Sequence, residues 1–351
     1  MQSSSSASTL PWQLQPAVLL VWGLLAAIML AYALGIDRTF LIDQPNYLDN
    51  FANAPRLDWL DDLKLGDAPL QNLIVGIFSE ELLWQVWATV LGTIFSPAIA
   101  VLVTVGVLNA LVALGVERLE NPALSLFIWL VLPVGFAVTG LLQLRQGLAF
   151  AVMLYVAVRM NRPVLGTLIA AMIHTTFALA VPFALIAWLC RRVPLLALLF
   201  AVAAAAAAAY LGGLLFEAFG GRRLQIYDVN QAETNSILYV FGGMLSCLPS
   251  VHRLMSSARP GESPEASRTL YHLALMHVGV TAFAVTCYFV FPLGAGRAGY
   301  LIMLLLIPVL PAVRRRDSLT GALLFWLLLL YLVYLTVKTY LEGTYDIYFG
   351  G

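Results

Sequence analysis

Long apolar stretches separated by short polar breaks dominate this chain. They fall at about 17–35, 97–116, 123–142, 146–160, 194–212, 236–250, 270–292, 298–313 and 319–340. A helix needs roughly twenty apolar residues to cross the hydrocarbon core of a bilayer, so these runs predict crossing helices, some short or tilted. Pro and Gly inside several of them are tolerated when membrane helices are bundled. The alanine-rich run 201–210 predicts a helix whose small side chains permit close contact. No internal repeat is visible.

The stretch 163–190 is long for one crossing and short for two, and charge decides how it folds. Basic residues cluster at Arg159/Arg162, Arg191/Arg192, Arg253/Arg259/Arg268 and Arg314–Arg316. The positive-inside rule assigns all four clusters to the cytoplasm, which requires 163–190 to go out and return as a hairpin with His174 near its outer tip. Residues 36–70 carry Asp37, Asp43, Asp49, Asp58, Asp61, Asp62 and Asp67 against Arg38, Arg56 and Lys64, a net acidic loop suited to the translocated side. The apolar segment 68–96 is interrupted by Glu80 and Glu81, which are costly at mid-bilayer, so it is expected as an interfacial helix on the outer face. Were it to cross, the orientation would invert. The expectation is an all-α polytopic membrane protein: one integral membrane domain over 1–351 with about eleven crossings. Residues 1–15 would form a disordered cytoplasmic tail and 36–96 a periplasmic loop plus interfacial helix, with the C-terminus outside.

Composition agrees with this reading. The 351 residues are 61% apolar and 11% charged, against about 25% charged in soluble domains. The net charge is zero, so there is no basic field for nucleic acid. Cys190, Cys247 and Cys287 have no metal-type spacing and read as small hydrophobes. The first ten residues lack the basic start of a cleaved signal, so the first apolar run is expected to be retained.

Four constellations fall on the expected outer face: Asp43 to Tyr47 with Phe51, Leu144–Arg145–Gln146–Gly147, His174–Thr175–Thr176, and Arg222–Arg223 with Tyr227. Arg297 joins them from the expected loop between the helices near 292 and 298. Arginines on one side of a bundle suit phosphate, because the guanidinium fork pairs bidentately with its oxygens. A His or Asp beside them can take a proton from an attacking hydroxyl. Tyr47 offers a face for a sugar ring. Each residue also has a plainer reading: Arg145 as a snorkelling interface residue, His174 bonded to a backbone carbonyl, Asp43 and Arg222/Arg223 as solvated loop charges. His252, His272 and His277 show no ligand spacing. There is no HExxH, GxSxG or Walker A motif, and the site is expected to need no metal or other cofactor.

These elements resemble a family. DQPNYLDNF (43–51) resembles the D-x-x-x-Y-x-x-x-F/Y element of EpsG-type, Wzy-like polysaccharide polymerases. LRQGLAFAVMLYVAVRMNRP (144–163) is similar to its R-Q-x-L-A helix, and LIAAMIHTTFALAVP (168–182) to its A-x-x-x-H-x-[ST] hairpin. SEELLWQVWATVLG (79–92) stands where that family has an acidic residue before an aromatic-rich interfacial helix. The match covers roughly 36–190, in order; Gln-Pro after Asp43 departs from the family pattern and leaves the role of Asp43 open. The resemblance implies a bacterial inner-membrane O-antigen or exopolysaccharide polymerase with a lipid-donor glycosyltransferase-like fold. It would transfer a growing glycan from undecaprenyl diphosphate to the non-reducing end of a lipid-linked repeat unit on the periplasmic face. It also implies roles. Arg145, with Arg222, Arg223 and Arg297, would hold the diphosphate; His174 or Asp43 would act as base; Tyr47, Gln146 and Tyr227 would contact sugar. Partners would be the lipid-linked repeat units, membrane lipids and a chain-length regulator.

Two other classes compete. A lipid-linked oligosaccharide flippase needs polar residues through the bilayer midplane and commonly shows repeated broken helices, whereas the polar residues here gather at one face. An acyltransferase could use an intramembrane His but would more often place it toward the cytoplasm. Ligation to another acceptor, as by an O-antigen ligase, is not separated from polymerisation by sequence.

Overall fold

Proline marks where most of the helices begin. The computed structural model describes residues 16–35, 43–62, 81–132, 134–219, 237–256, 264–290, 292–313 and 319–341. In chain order its α-helices are α1 (Pro16–Gly35), α2 (Gln44–Asn53), α3 (Trp59–Asp62), α4 (Leu82–Ile94), α5 (Pro97–Val116), α6 (Pro122–Val131) and α7 (Leu144–Arg159). They continue as α8 (Pro163–Ile173), α9 (Val181–Leu189), α10 (Pro194–Phe219), α11 (Ile237–Met255), α12 (Pro264–Val290), α13 (Pro292–Val313) and α14 (Leu319–Leu341). A first-turn proline costs no hydrogen bond and arrives with helical φ. Before α6 the side chain of Asn121 adds a cap, accepting from the Leu124 N–H. No strand occurs among the described residues.

Among the described residues five helices are long and apolar enough to cross a membrane: α5, α10 over Pro194–Leu214, α12, α13 over Gly294–Val313 and α14 over Leu319–Lys338. A sixth span results if α6 and the turn after it count together. The chain is therefore an all-α, multi-pass membrane protein. The other runs within the expected eleven form α1, α7 and α11, of 20, 16 and 19 residues, and the shorter α8 and α9. Those last two pack against each other across a 3-10 turn, Thr175–Ala180, so 163–190 is a hairpin. The expected loop holding Arg297 is corrected: Pro292 opens α13 and the helix runs through Gly294, Gly296 and Arg297 without a break. The two glycines suggest a loop in sequence, but a proline at the first position and an apolar continuation outweigh their weak helix propensity.

Helices α12 and α13 form the buried centre, and α10 and α14 lie at the edge, mostly open to lipid. Helix α10 shows how one element serves both environments. Ala197, Ala201, Ala205 and Ala209 are fully buried at four-residue spacing, one face that lets the backbone approach α12 closely. Leu195, Leu199, Phe200 and Leu211 on other faces remain exposed.

Between α6 and α7 the chain bends by 64° into a π-type turn, Val134–Gly140. Leu132, just before Pro133, is extended (φ −62°, ψ 127°), the conformation a following proline ring favours. Buried Asn109 of α5 pins the bend: its Nδ2 donates to Gly140 O at 3.0 Å and to Val105 O at 2.9 Å, while its Oδ1 accepts from Trp129 Nε1 at 3.1 Å. Every polar atom of that side chain is thus engaged within the apolar interior. The turn rests directly on the start of α7, because a Cβ on Gly147 would stand 2.1 Å from Thr139 O.

Candidate active site

The sequence QPNYLDNFAN of α2 buries Gln44, Tyr47 and Phe51, three- and four-residue steps that share one helical face. That face closes on Trp84 of α4. The Tyr47 and Phe51 rings each lie 5.7 Å from the Trp84 ring, and Trp84 Nε1 donates to Asn50 Oδ1 at 2.9 Å. Gln44 Nε2 donates to Leu141 O at 3.0 Å, tying α2 to the turn before α7. The helices touch at backbone level, since a Cβ on Gly92 would stand 2.1 Å from Phe51 O. Gly92→Ala is therefore expected to push α2 off α4 at a cost of about 1–3 kcal/mol; a lowered thermal unfolding midpoint of the purified protein checks this.

Glu81 sits at the head of α4 with φ 54° and ψ 54°. This left-handed conformation is uncommon for a residue with a side chain and concentrates at functional positions. Its side chain is only 8% exposed. Oε2 accepts from Arg145 Nη1 at 3.0 Å, and Oε1 lies 2.5 Å from His174 Nδ1 and accepts from the Thr175 N–H at 3.2 Å. One carboxylate thus joins the start of α7 to the break between α8 and the 3-10 turn. Burial raises the Glu81 carboxyl's affinity for a proton, but the His174 hydrogen bond, the His174 and Arg145 charges and the Thr175 N–H outweigh it. The net effect holds the group below its ordinary range.

An ionised carboxylate can only accept, so the proton between the two groups belongs to His174 Nδ1. In the neutral ring Nε2 is then the acceptor, and the Thr176 hydroxyl 3.3 Å away can donate to it. The backbone makes this presentation possible: α8 ends at His174, which is extended (φ −149°, ψ 121°).

Arg145 occupies the first turn of α7 and remains 44% exposed, so its fork is only partly spent on Glu81. Its Cζ lies 5.9 Å from the centre of the Tyr47 ring. Burial, against the pull of Arg145, pushes the Tyr47 hydroxyl up to about 12, so it remains a neutral hydrogen-bonding group. Asp43 precedes α2 and makes no side-chain capping bond. Burial raises its carboxyl above the usual range, with Arg145 opposing.

The chain matches the EpsG family over residues 20–348. The protein belongs to that family. No curated protein and no solved structure matches it.

In this EpsG-family protein, four of the residues singled out in sequence converge: Asp43, Tyr47, Arg145 and His174. Gln146 is buried beside Arg145 with its Nε2 unpartnered among the described residues. Arg222, Arg223 and Tyr227 lie outside the described residues, and of Arg297 only its place in α13 is described. Glu81 is the residue that sequence reading left out of the site. Its signal was present, an acidic pair inside an apolar segment, but it pointed to an interface position rather than to His174, 93 residues away.

Proposed function

We propose that this protein polymerises a lipid-linked glycan, in the inner membrane and from the periplasmic face. The observation that carries the reading is the single carboxylate, Glu81, that engages both Arg145 and His174. Family membership and the resemblance of the 43–51, 144–163 and 168–182 elements supply the reaction class. The donor would be a glycan on undecaprenyl diphosphate and the acceptor a hydroxyl at the non-reducing end of a lipid-linked repeat unit.

In the proposed step the acceptor oxygen attacks the anomeric carbon of the donor. A glycosidic C–O bond forms as the bond from that carbon to the diphosphate oxygen breaks. His174 Nε2 takes the hydroxyl proton, with Glu81 holding the ring in the required tautomer and stabilising its charge, as the carboxylate does in hydrolase triads. The part of the Arg145 fork not bound to Glu81 pairs with the departing diphosphate. Tyr47 and Gln146 would contact sugar. Arg222, Arg223, Tyr227 and Arg297 are proposed to extend the diphosphate and sugar contacts. The eleven-crossing topology, a chain-length partner and independence of a metal cofactor belong to the same proposal.

A second assignment of the base is favoured by one observation: the Asp43 carboxyl has a raised proton affinity near Arg145 and no capping bond. His174→Ala distinguishes the two. Elongation of lipid-linked repeat units should fall by about 10²–10⁴-fold, with expression and membrane insertion retained. If His174→Ala keeps most of the activity while Asp43→Asn loses it, Asp43 is the base.

A further inference from the structure

At the far end of the hairpin from His174, the start of α8, the end of α9 and the first turns of α12 enclose a cavity of about 800 Å³. Helix α8 has 11 residues, so this cavity is roughly 16 Å along the helix axis from the Glu81–His174 pair. It is a separate place in the fold. Arg162, Arg191 and Arg268 line it against one acidic residue, Glu265, so the balance is cationic. The remaining wall is apolar and open to the flank of the bundle: Leu165, Leu185 and Trp188 border the cavity and are 47%, 40% and 56% exposed. Guanidinium groups beside lipid-facing apolar side chains match a molecule with an anionic head and hydrocarbon tails.

One buried polar group narrows the chemistry. His272, in the same wall, is 1% exposed. Its Nδ1 donates to Arg268 O at 2.8 Å, which leaves Nε2 as an acceptor with no partner among the described residues. A headgroup hydroxyl that displaces the side chains covering this nitrogen would supply the missing donor. The cluster also lies at the end of the bundle where the basic residues gather, the end that the positive-inside rule assigns to the cytoplasmic leaflet.

We infer that this cavity binds the headgroup of an anionic phospholipid bearing free hydroxyls, of the phosphatidylglycerol type. The phosphate sits among Arg162, Arg191 and Arg268, and the acyl chains run over Leu165, Leu185 and Trp188 into the bilayer. This inference does not depend on the polymerase reading.

Native mass spectrometry of the purified full-length protein, titrated with phosphatidylglycerol or phosphatidylcholine of the same chains, tests it. Phosphatidylglycerol should be retained about tenfold or more over phosphatidylcholine, in keeping with a few basic contacts to an anionic head. The double variant Arg162→Gln/Arg268→Gln should lose that preference. Glu265→Gln, which removes the opposing charge and no packing, should strengthen retention. Equal retention of the two lipids, an unchanged preference in the double variant, or weaker retention in Glu265→Gln would overturn the site. Displacement of the lipid by millimolar inorganic phosphate would overturn the lipid assignment in favour of a small-anion site.

Discussion

Glu81→Gln is expected to leave the protein folded in the membrane and to lower glycan elongation by at least about a hundredfold. The amide is nearly the same size as the carboxyl it replaces, so packing around the head of α4 survives. Charge and acceptor capacity do not. Glu81 engages Arg145 Nη1 through one oxygen and His174 Nδ1 and the Thr175 N–H through the other. A glutamine has one acceptor oxygen for these donors, and its NH2 would face one of them. His174 would then lose the partner that fixes its proton on Nδ1 and exposes Nε2 as acceptor. Elongation by the purified variant, compared with its thermal unfolding, separates this effect from a structural one. A large loss of activity with little change in unfolding temperature fits the proposed role. Near-normal elongation would show that the Glu81–His174 contact is only structural.

Arg145→Lys should reduce elongation by about 10²–10³-fold, the range found when a preorganised donor to developing negative charge is removed. Lysine keeps the charge but not the fork. Arg145 must pair with Glu81 at 3.0 Å while offering further N–H groups to an incoming diphosphate, and its plane lies by the Tyr47 ring. An ammonium is a point charge that can satisfy one of these demands at a time. Steady-state rates at varied donor concentration check this. A loss confined to the apparent affinity for donor would assign Arg145 to binding alone, whereas a loss in turnover fits stabilisation of the leaving group.

Hydropathy and charge made most of the fold legible. Apolar run length located the long helices, whereas α2 and α3 lie in the stretch 36–70 that was expected as a loop. Proline at helix starts explains many of the boundaries, and the basic clusters required 163–190 to fold back, as α8 and α9 do. The π-type turn at Val134–Gly140 was not legible, because the apolar run continues through it and the bend depends on Asn109 of another helix. Arg297 was assigned to a loop because it falls between the apolar runs that end near 292 and begin near 298, yet a helix begun by Pro292 carries it.

The site divides in the same way. Asp43, Tyr47, Arg145 and His174 were picked out as ionisable or aromatic residues near helix ends. Their common partner was not. Glu81 is separated from Arg145 by 64 residues and from His174 by 93, and no local periodicity encodes contacts of that range. An acidic residue in an apolar segment gave a cost to be explained. The explanation is the two cationic or proton-donating side chains that α7 and the hairpin bring to it.

The most direct test of the central claim is elongation by the purified wild-type protein. It would be incubated with the source's own undecaprenyl-diphosphate-linked repeat units, and the products separated by size. A ladder of glycans lengthening by whole repeat units is the expected result. Unchanged repeat units, with divalent metal also supplied and the protein verified as folded, would contradict the polymerase reading.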